Sequence, residues 1–324
     1  MTDKPKILSV GGMDPRVEEA LAPDFEVLST RAALLDSLVN GHGPDILALV
    51  TRGQFPVNAA LIAALPKLQL IANYGVGYDT VDCAAAAARR VIVTHTPDVL
   101  NDEMADFTIG LMLATIRQLP QAEAYLRSGG WEARGMYPLT ASLRDRKIGI
   151  AGLGRIGQTL AQRLQAFRRP VAYYARTARP HVNLQYFASL EDLAEAVDVL
   201  IVLLPGGAAT RHAINAAVLN KLGPNGILIN VARGSVVDET ALIAALREGA
   251  ILAAGLDVFE DEPRVPQALR DCANAVLTPH IGTGTYYTRG LMGDLVIANI
   301  RSWFAGQGPL TPVPETPWPP PALA

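Results

Sequence analysis

Three glycines in the middle of the chain are spaced for a close approach of backbone to ligand. Gly152, Gly154 and Gly157 form a G-x-G-x-x-G motif between the apolar run Lys147–Ala151 and a predicted helix over Gln158–Phe167. In such a turn the backbone can reach a pyrophosphate, whose charge lies at the N-terminus of the helix. Because a strand precedes the motif and a helix follows it, the sequence predicts dinucleotide binding rather than a plain glycine-rich turn.

The end of the next predicted strand decides which dinucleotide binds. A carboxylate there would accept hydrogen bonds from the adenosine ribose of NAD, but the chain has Ala175, followed by Arg176 and Thr177. A guanidinium binds a phosphate through two parallel hydrogen bonds, and a hydroxyl adds a neutral donor. The sequence therefore predicts that NADPH is preferred over NADH. The alternative is that these side chains lie on a solvated loop.

Three further segments carry basic, acidic and imidazole side chains: Asn230–Asp238, Gly255–Pro263 and Pro279–Gly282. With the glycine motif they resemble the D-isomer-specific 2-hydroxyacid dehydrogenases over nearly the whole chain. Thr96–Leu100 and Gly282–Thr285 most resemble the glyoxylate/hydroxypyruvate reductases and hydroxyphenylpyruvate reductases of that family. The resemblance implies an NADPH-dependent reductase of small 2-keto acids. It also implies a Rossmann cofactor domain inserted in a flavodoxin-like substrate domain, with the active site between them.

The residue types of these segments fit the reduction of a ketone. Hydride transfer leaves negative charge on the ketone oxygen, so a proton donor has to lie within hydrogen-bond reach, and His280 is the candidate. Glu262 can stabilise the imidazolium form and orient the ring. Arg233 can bridge the substrate carboxylate and the reacting oxygen. The resemblance implies that the backbone amides of Val76 and Gly77 also donate to the carboxylate.

Other contacts are predicted with open alternatives. Asp257 resembles an acid near the nicotinamide carboxamide, or it caps a loop, and Arg52 could hold the substrate tail or lie at the surface. The predicted cofactor contacts are Gly152, Gly154, Arg155, Ile156, Gly157, Arg176, Thr177, Pro205, Ala232 and Asp257. The remaining histidines receive no role, and they are His42, His95, His181 and His212. No metal site is expected, because the sequence has no Cys/His cluster.

Composition limits the remaining function classes. The 324 residues are 50% apolar, with a formal net charge of −3, which predicts a globular protein and argues against nucleic-acid partners or a basic membrane-binding face. No run approaches the ~20 apolar residues that span a bilayer. Two cysteines are too few for a disulfide framework, so a cytoplasmic protein is expected. The resemblance implies a homodimer, with an arm that begins at Trp131.

Short β-branched runs alternate with amphipathic ones, which is typical of parallel α/β sheets. The predicted strands are Lys6–Val10, Phe25–Leu28, Asp45–Thr51, Leu68–Asn73, Val91–Thr94, Lys147–Ala151, Val171–Tyr174, Val199–Leu204, Ile227–Val231 and Ala253–Val258. Helices lie between them, one of them near Arg31–Val39, and single helices are predicted over Asn101–Arg127 and from Thr285 to about Ala305.

These elements predict a discontinuous substrate domain. Residues 1–99 form its first segment, residues 100–285 the Rossmann domain, and residues 286–324 a returning helix plus a proline-rich tail that is extended, docked or loose. Two alternatives stay open for the function: an aromatic keto acid of the hydroxyphenylpyruvate type as substrate, or a dinucleotide-sensing, corepressor-like binding protein. The set of Arg233, Glu262 and His280 argues against a loss of catalysis.

Overall fold

The computed structural model describes residues 4–30 and 35–319. They divide into two compact units: unit 1 comprises Met1–Leu100 and Thr285–Ala324, and unit 2 comprises Asn101–Gly284. Within the described ranges, no helix combines the length and the apolar character that crossing a bilayer requires.

Unit 1 is built on a five-stranded parallel sheet. Its elements are β1 (Lys6–Val10), α1 (Pro15–Leu21), β2 (Glu26–Thr30), α2 (Leu35–His42), β3 (Ile46–Arg52), α3 (Ala59–Ala63), β4 (Leu70–Tyr74), α4 (Cys83–Ala88), β5 (Ile92–Thr94) and α13 (Tyr286–Phe304). The strand order is β2-β1-β3-β4-β5, and every pair is parallel. This is the flavodoxin-like order. The first part of the predicted helix Arg31–Val39 lies outside the described residues.

Unit 2 is built on a seven-stranded parallel sheet. Its elements are α5 (Asn101–Ile116), α6 (Leu119–Arg127), α7 (Gly130–Arg134), β6 (Ile148–Ala151), α8 (Arg155–Leu164), β7 (Val171–Tyr174), β8 (Gln185–Phe187), α9 (Leu190–Ala196), β9 (Val199–Val202), α10 (Ala216–Leu222), β10 (Ile227–Asn230), α11 (Glu239–Glu248), β11 (Ala253–Leu256), α12 (Gln267–Arg270) and β12 (Ala275–Leu277). The order β12-β11-β10-β9-β6-β7-β8 is that of a Rossmann sheet with one added strand. Every residue of β6, β9, β10 and β11 is buried, as expected for a sheet covered on both faces. The predicted fold class is thus confirmed in both units.

Two features of unit 2 differ from the predictions. The edge strands β8 and β12 are not predicted from the sequence, because each has three residues and lacks the β-branched run that indicates β5. The single helix predicted over Asn101–Arg127 is wrong, since it ends at Ile116 and a second helix begins at Leu119. Pro120 causes the break: it has no N–H for the helical ladder, and its ring would clash with the carbonyl of Ile116.

The described part of the proline-rich tail is docked on unit 1. Pro312 forms an antiparallel bridge with Thr94, and Val313 N donates to Val93 O at 2.9 Å. The Thr316 hydroxyl oxygen accepts a hydrogen bond from Val93 N at 2.9 Å. These bonds satisfy the outer edge of β5, which would otherwise present unpaired backbone groups. The tail therefore completes the sheet although its prolines prevent a helix.

Candidate active site

The glycine turn between β6 and α8 allows two close backbone approaches. Gly152 has φ 107°, and a Cβ on it would lie 2.7 Å from Leu203 O. A Cβ on Gly157 would lie 2.5 Å from Gly152 O. Side chains at either position would therefore force the turn away from β9 or the helix away from β6. The turn is tight, and α8 starts close to the sheet.

Gly154 differs from these two glycines because it borders open space. A Cβ there would meet no protein atom within 4 Å. Gly154 is the N-cap of α8, no side chain caps this helix end, and its first turn has no acidic residue. The first N–H groups of α8 and the positive end of its dipole are thus directed at open space. This cradle fits the pyrophosphate of a dinucleotide, with Arg155 and Ile156 in the first turn.

The end of β7 lies beside the glycine turn. Gly152 N donates to Tyr174 O at 2.9 Å, which places the following residues next to the predicted pyrophosphate position. Arg176 and Thr177 are exposed, and in the part of the chain that the structure describes their side chains form no hydrogen bond or ion pair. Their donors are therefore available to a ligand. Pro205 and Ala232 follow β9 and β10 at the same carboxyl edge of the sheet.

The predicted proton donor and its carboxylate are in contact. His280 Nδ1 lies 2.7 Å from Glu262 Oε2, and the side chains are 31% and 19% exposed. The other carboxylate oxygen, Oε1, accepts from Phe259 N at 3.1 Å. Because a carboxylate only accepts, Nδ1 carries a proton, and Nε2 is the ring nitrogen that faces away from Glu262.

Asp257 holds the segment that carries His280. Its Oδ1 accepts from Ile281 N at 2.8 Å and from the Thr278 hydroxyl at 2.7 Å, and its Oδ2 accepts from Gly282 N at 2.8 Å. The residue is 1% exposed, and this burial raises the pKa of Asp257 against the opposing effect of these hydrogen bonds. These hydrogen bonds agree with the alternative in which Asp257 caps a loop. They fix the backbone on both sides of His280.

Arg233 follows β10 and is held by its own loop. Asn230 Nδ2 donates to Arg233 O at 2.9 Å, and Arg233 Nη1 donates to Ala232 O at 2.8 Å. A Cβ on Gly234 would lie only 1.8 Å from the backbone carbon of Phe259. Only glycine permits this approach, so the loop of Arg233 packs directly on the loop that leads to Glu262.

Sequence reasoning missed a support for the Glu262 loop. Glu239, which is buried at the start of α11, accepts from Glu260 N at 2.7 Å through Oε1. Burial raises the pKa of Glu239. The Glu260 side chain in turn contacts His212 Nε2 at 2.9 Å and the guanidinium of Arg211. His212 was given no role from the sequence, and it lies in this support rather than at any predicted reacting position.

In unit 1, the turn after β4 is fixed from behind. Gly75 O accepts from Asn73 Nδ2 at 3.1 Å and from Thr96 N at 3.0 Å. The Gly75 carbonyl and the Val76 N–H belong to one planar trans peptide, so they point in opposite directions. Holding the carbonyl therefore directs the Val76 N–H away from these donors.

His95 holds the second predicted amide in the same way. Its Nδ1 lies 3.0 Å from Val76 O, and a carbonyl can only accept, so Nδ1 donates. Val76 O and Gly77 N share one peptide, whose orientation is thus fixed. In the described residues, the N–H groups of Val76 and Gly77 have no acceptor. Two adjacent, oriented donors of this kind suit a carboxylate.

Arg52, predicted at the surface or on the substrate tail, ends β3 beside this turn. It is the register partner of Tyr74 on β4 and is partly buried. Its Nη1 lies 3.3 Å from Gly12 O.

Among the residues with described positions, no group of three or more His, Cys, Asp or Glu side chains is arranged to hold a metal ion.

Comparison with protein families identifies the chemistry of unit 2. Residues 109–282, which all lie within unit 2, match the model of the NAD binding domain of D-isomer specific 2-hydroxyacid dehydrogenases. The chain belongs to the D-isomer-specific 2-hydroxyacid dehydrogenase family. It is an NAD(P)-dependent dehydrogenase, and the cradle at Gly154 lies in its cofactor domain.

Several reductases are similar to this 2-hydroxyacid dehydrogenase over nearly its full length. A hydroxyphenylpyruvate reductase of Plectranthus scutellarioides is 42% identical over 95% of this chain and 98% of its own. The glyoxylate/hydroxypyruvate reductase A of Arabidopsis thaliana is 43% identical with the same coverage. A solved NADPH-dependent glyoxylate/hydroxypyruvate reductase of Sinorhizobium meliloti, in complex with NADP and malonate, is 48% identical, with a TM-score of 0.94 over 99% of this chain and 100% of its own.

Proposed function

We propose that this dehydrogenase reduces glyoxylate and hydroxypyruvate with NADPH, and that His280 supplies the proton. The observation that carries the proposal is the 2.7 Å contact between His280 Nδ1 and Glu262, which orients the ring and stabilises the imidazolium form that donates the proton. The reductases from Arabidopsis thaliana and Sinorhizobium meliloti support this substrate class. The relative from Plectranthus scutellarioides supports hydroxyphenylpyruvate as the second candidate substrate.

The roles of the chain's own groups follow from their chemistry. When bound, the reduced nicotinamide supplies the hydride. The Val76 and Gly77 amides bind the substrate carboxylate, and Arg233 binds the carboxylate and the ketone oxygen through its planar fork. His280 Nε2 donates a proton to that oxygen as its charge grows, and Glu262 stabilises the imidazolium and fixes the ring. Asp257 maintains the backbone around His280.

Cofactor choice gives the first test. Wild-type enzyme should favour NADPH over NADH by roughly 10- to 150-fold in kcat/KM, since a charge-assisted contact to the 2′-phosphate contributes about 1.5–3 kcal/mol. Arg176→Ala should weaken NADPH and leave NADH nearly unchanged. Ala175→Asp should shift the preference toward NADH, because its carboxylate repels the phosphate and accepts from the ribose. The exposed Arg270 provides the control variant Arg270→Ala.

The measurement is kcat/KM for each cofactor with glyoxylate, hydroxypyruvate and hydroxyphenylpyruvate in wild type and variants. Equal loss of both cofactors in Arg176→Ala would show that this arginine does not recognise the phosphate. The fastest keto acid decides between the two substrate candidates. NADPH binding without turnover of any keto acid would instead favour a dinucleotide sensor.

We further propose that the protein is a homodimer assembled through a patch on unit 2. The patch consists of Leu119, Leu126, Trp131, Met136 and Leu139, whose exposure ranges from 54% to 99%. Large apolar side chains are exposed repeatedly along Leu119–Leu139, and exposed apolar surface supports the proposal of an interface there. A second copy of this chain is the proposed occupant, because the arm beginning at Trp131 resembles a subunit contact of the family.

Introducing charged side chains into the patch should therefore dissociate the dimer. We expect the double variant Met136→Lys and Leu139→Lys to convert a dimer of about twice 34.5 kDa into monomers in sedimentation equilibrium. Leu310→Lys changes a residue of unit 1 that is 55% exposed and should leave the dimer intact. A wild-type monomer at micromolar concentration would contradict the proposal.

A further inference from the structure

Two arginines of unit 1 flank a buried tyrosine at the carboxyl edge of the sheet. Arg52 ends β3 in register with Tyr74, the last residue of β4. Arg289 lies in the first turn of α13, and its carbonyl accepts from Tyr74 Oη at 2.7 Å. The Arg289 guanidinium carbon is 5.8 Å from the centroid of the Tyr74 ring. The Arg289 guanidinium thus lies at the Tyr74 ring, and Arg52 lies beside Tyr74 on the neighbouring strand, where its Nη1 donates to Gly12 O at 3.3 Å.

No ion pair neutralises these two positive charges in the described residues. In residues 4–30 and 35–319, neither Arg52 nor Arg289 forms an ion pair. Two other arginines of the unit form ion pairs: Arg16 with Asp294 at 2.5 Å and Arg301 with Asp24 at 3.0 Å. Arg89 and Arg90 form none in the described residues, but both are exposed, whereas Arg52 and Arg289 are partly buried.

The surroundings neutralise the pair only in part. Burial raises the pKa of Tyr74, so its hydroxyl stays protonated and contributes no negative charge. Asp14 acts on Arg52 electrostatically, but its Oδ1 caps α1 by accepting from Arg16 N at 3.0 Å. Burial, and then the charge of Arg289, lower the pKa of Arg52. An anion bound at both guanidinium groups would remove this repulsion and satisfy donors that desolvation leaves costly.

The pair lies a short way along the chain from the predicted carboxylate site. Val76 and Gly77 follow Tyr74 by two and three residues, which limits the backbone separation to roughly 7–11 Å. The arginine side chains extend into the same edge of the sheet, where ligands bind in open α/β folds. A molecule of four or five carbons could thus contact the two amides at one end and the two arginines at the other.

We propose that Arg52 and Arg289 bind a second anionic group of the substrate, a carboxylate or phosphate at the far end of a 2-keto acid. The inference rests on the proposed function, in which the Val76 and Gly77 amides bind the first carboxylate. It adds Arg289 to the residues that determine specificity and names dianionic 2-keto acids as a preferred class.

Matched substrate pairs test this subsite. 2-Oxoglutarate and 2-oxopentanoate have the same chain length and differ in the distal carboxylate, and phosphohydroxypyruvate and hydroxypyruvate differ in the phosphate. For Arg289→Met and Arg52→Met, kcat/KM for the dianionic member should fall 10- to 100-fold more than for its partner. Arg289→Lys keeps the charge but not the planar fork, so its kcat/KM for the dianionic member should lie between those of wild type and Arg289→Met. Arg301→Met removes a paired arginine of the same helix and should not change the ratios.

The outcomes separate the two proposals. A response confined to one substrate pair assigns the subsite to carboxylate or to phosphate. Equal losses for both members of each pair, or no loss, would overturn the subsite while the proposed reductase function stands. A wild-type enzyme that reduces none of the four keto acids would overturn the proposed function itself. Calorimetric binding of succinate against butyrate to the NADPH-loaded variants gives a readout that does not depend on turnover.

Discussion

We expect His280→Ala to lower kcat for keto-acid reduction by roughly 10²–10⁴, the usual contribution of a positioned general acid. The imidazole is fixed 2.7 Å from Glu262, and alanine removes both the proton and its orienting contact. Steady-state kinetics at saturating NADPH measure the loss. Fluorescence titration should show NADPH binding close to wild type, because the substitution leaves the glycine turn unchanged.

Two variants accompany this experiment. Glu262→Gln keeps the size of the side chain but removes the charge, so kcat should fall by a smaller factor of roughly 10–150. His181→Ala changes an exposed histidine of the same unit and should leave kcat unchanged. If His280→Ala turned over keto acids at nearly the wild-type rate, another group would have to supply the proton.

The second large effect is expected at Arg233. Arg233→Lys keeps the charge, but a single ammonium cannot hold a carboxylate and a ketone oxygen in the geometry of a planar fork. We expect kcat/KM for keto acids to fall by roughly 10²–10³, the range for losing one donor to a developing oxyanion. The bond from Nη1 to Ala232 O, at 2.8 Å, is one that lysine can also make, so the loop should keep its conformation.

Arg247→Lys is the matched control for this variant. Arg247 is an exposed arginine of unit 2 whose Nη2 donates to the backbone oxygen of Ala268 at 3.1 Å. The kcat/KM of Arg247→Lys for keto acids should match that of the wild-type enzyme. A loss in Arg233→Lys that appears equally in NADPH affinity would mean that Arg233 contacts the cofactor or supports the structure instead.

The glycine turn could be predicted from the sequence because its geometry is local. Gly152, Gly154 and Gly157 lie within six residues, and the strand and helix on either side show their own periodicity. The contact between His280 and Glu262 is different, since 18 residues separate them. It depends on Asp257 holding the backbone around His280, and the sequence indicated it only through the residue types and the family resemblance.

The role of His95 could not be recognised from the sequence. Its contact with Val76 O joins residues 19 positions apart, and it requires β4 and β5 to be neighbours in a parallel sheet. One signal was available: His95 directly follows β5, just as the turn of Val76 directly follows β4. Residues after adjacent parallel strands meet at one edge. Tyr74 and Arg289 lie 215 positions apart, and no comparable signal joins them.

The discontinuous course of unit 1 has a consequence for the order in which the chain folds during synthesis. All strands of unit 2 lie in the continuous stretch Asn101–Gly284, so this unit has its complete core before the last segment leaves the ribosome. Unit 1 cannot be complete at that stage. Helix α13 packs on β4, and residues 311–316 close the edge of β5. Until then β4 lacks its contact with α13 and the outer edge of β5 is open, so the part of the chain made first is completed last.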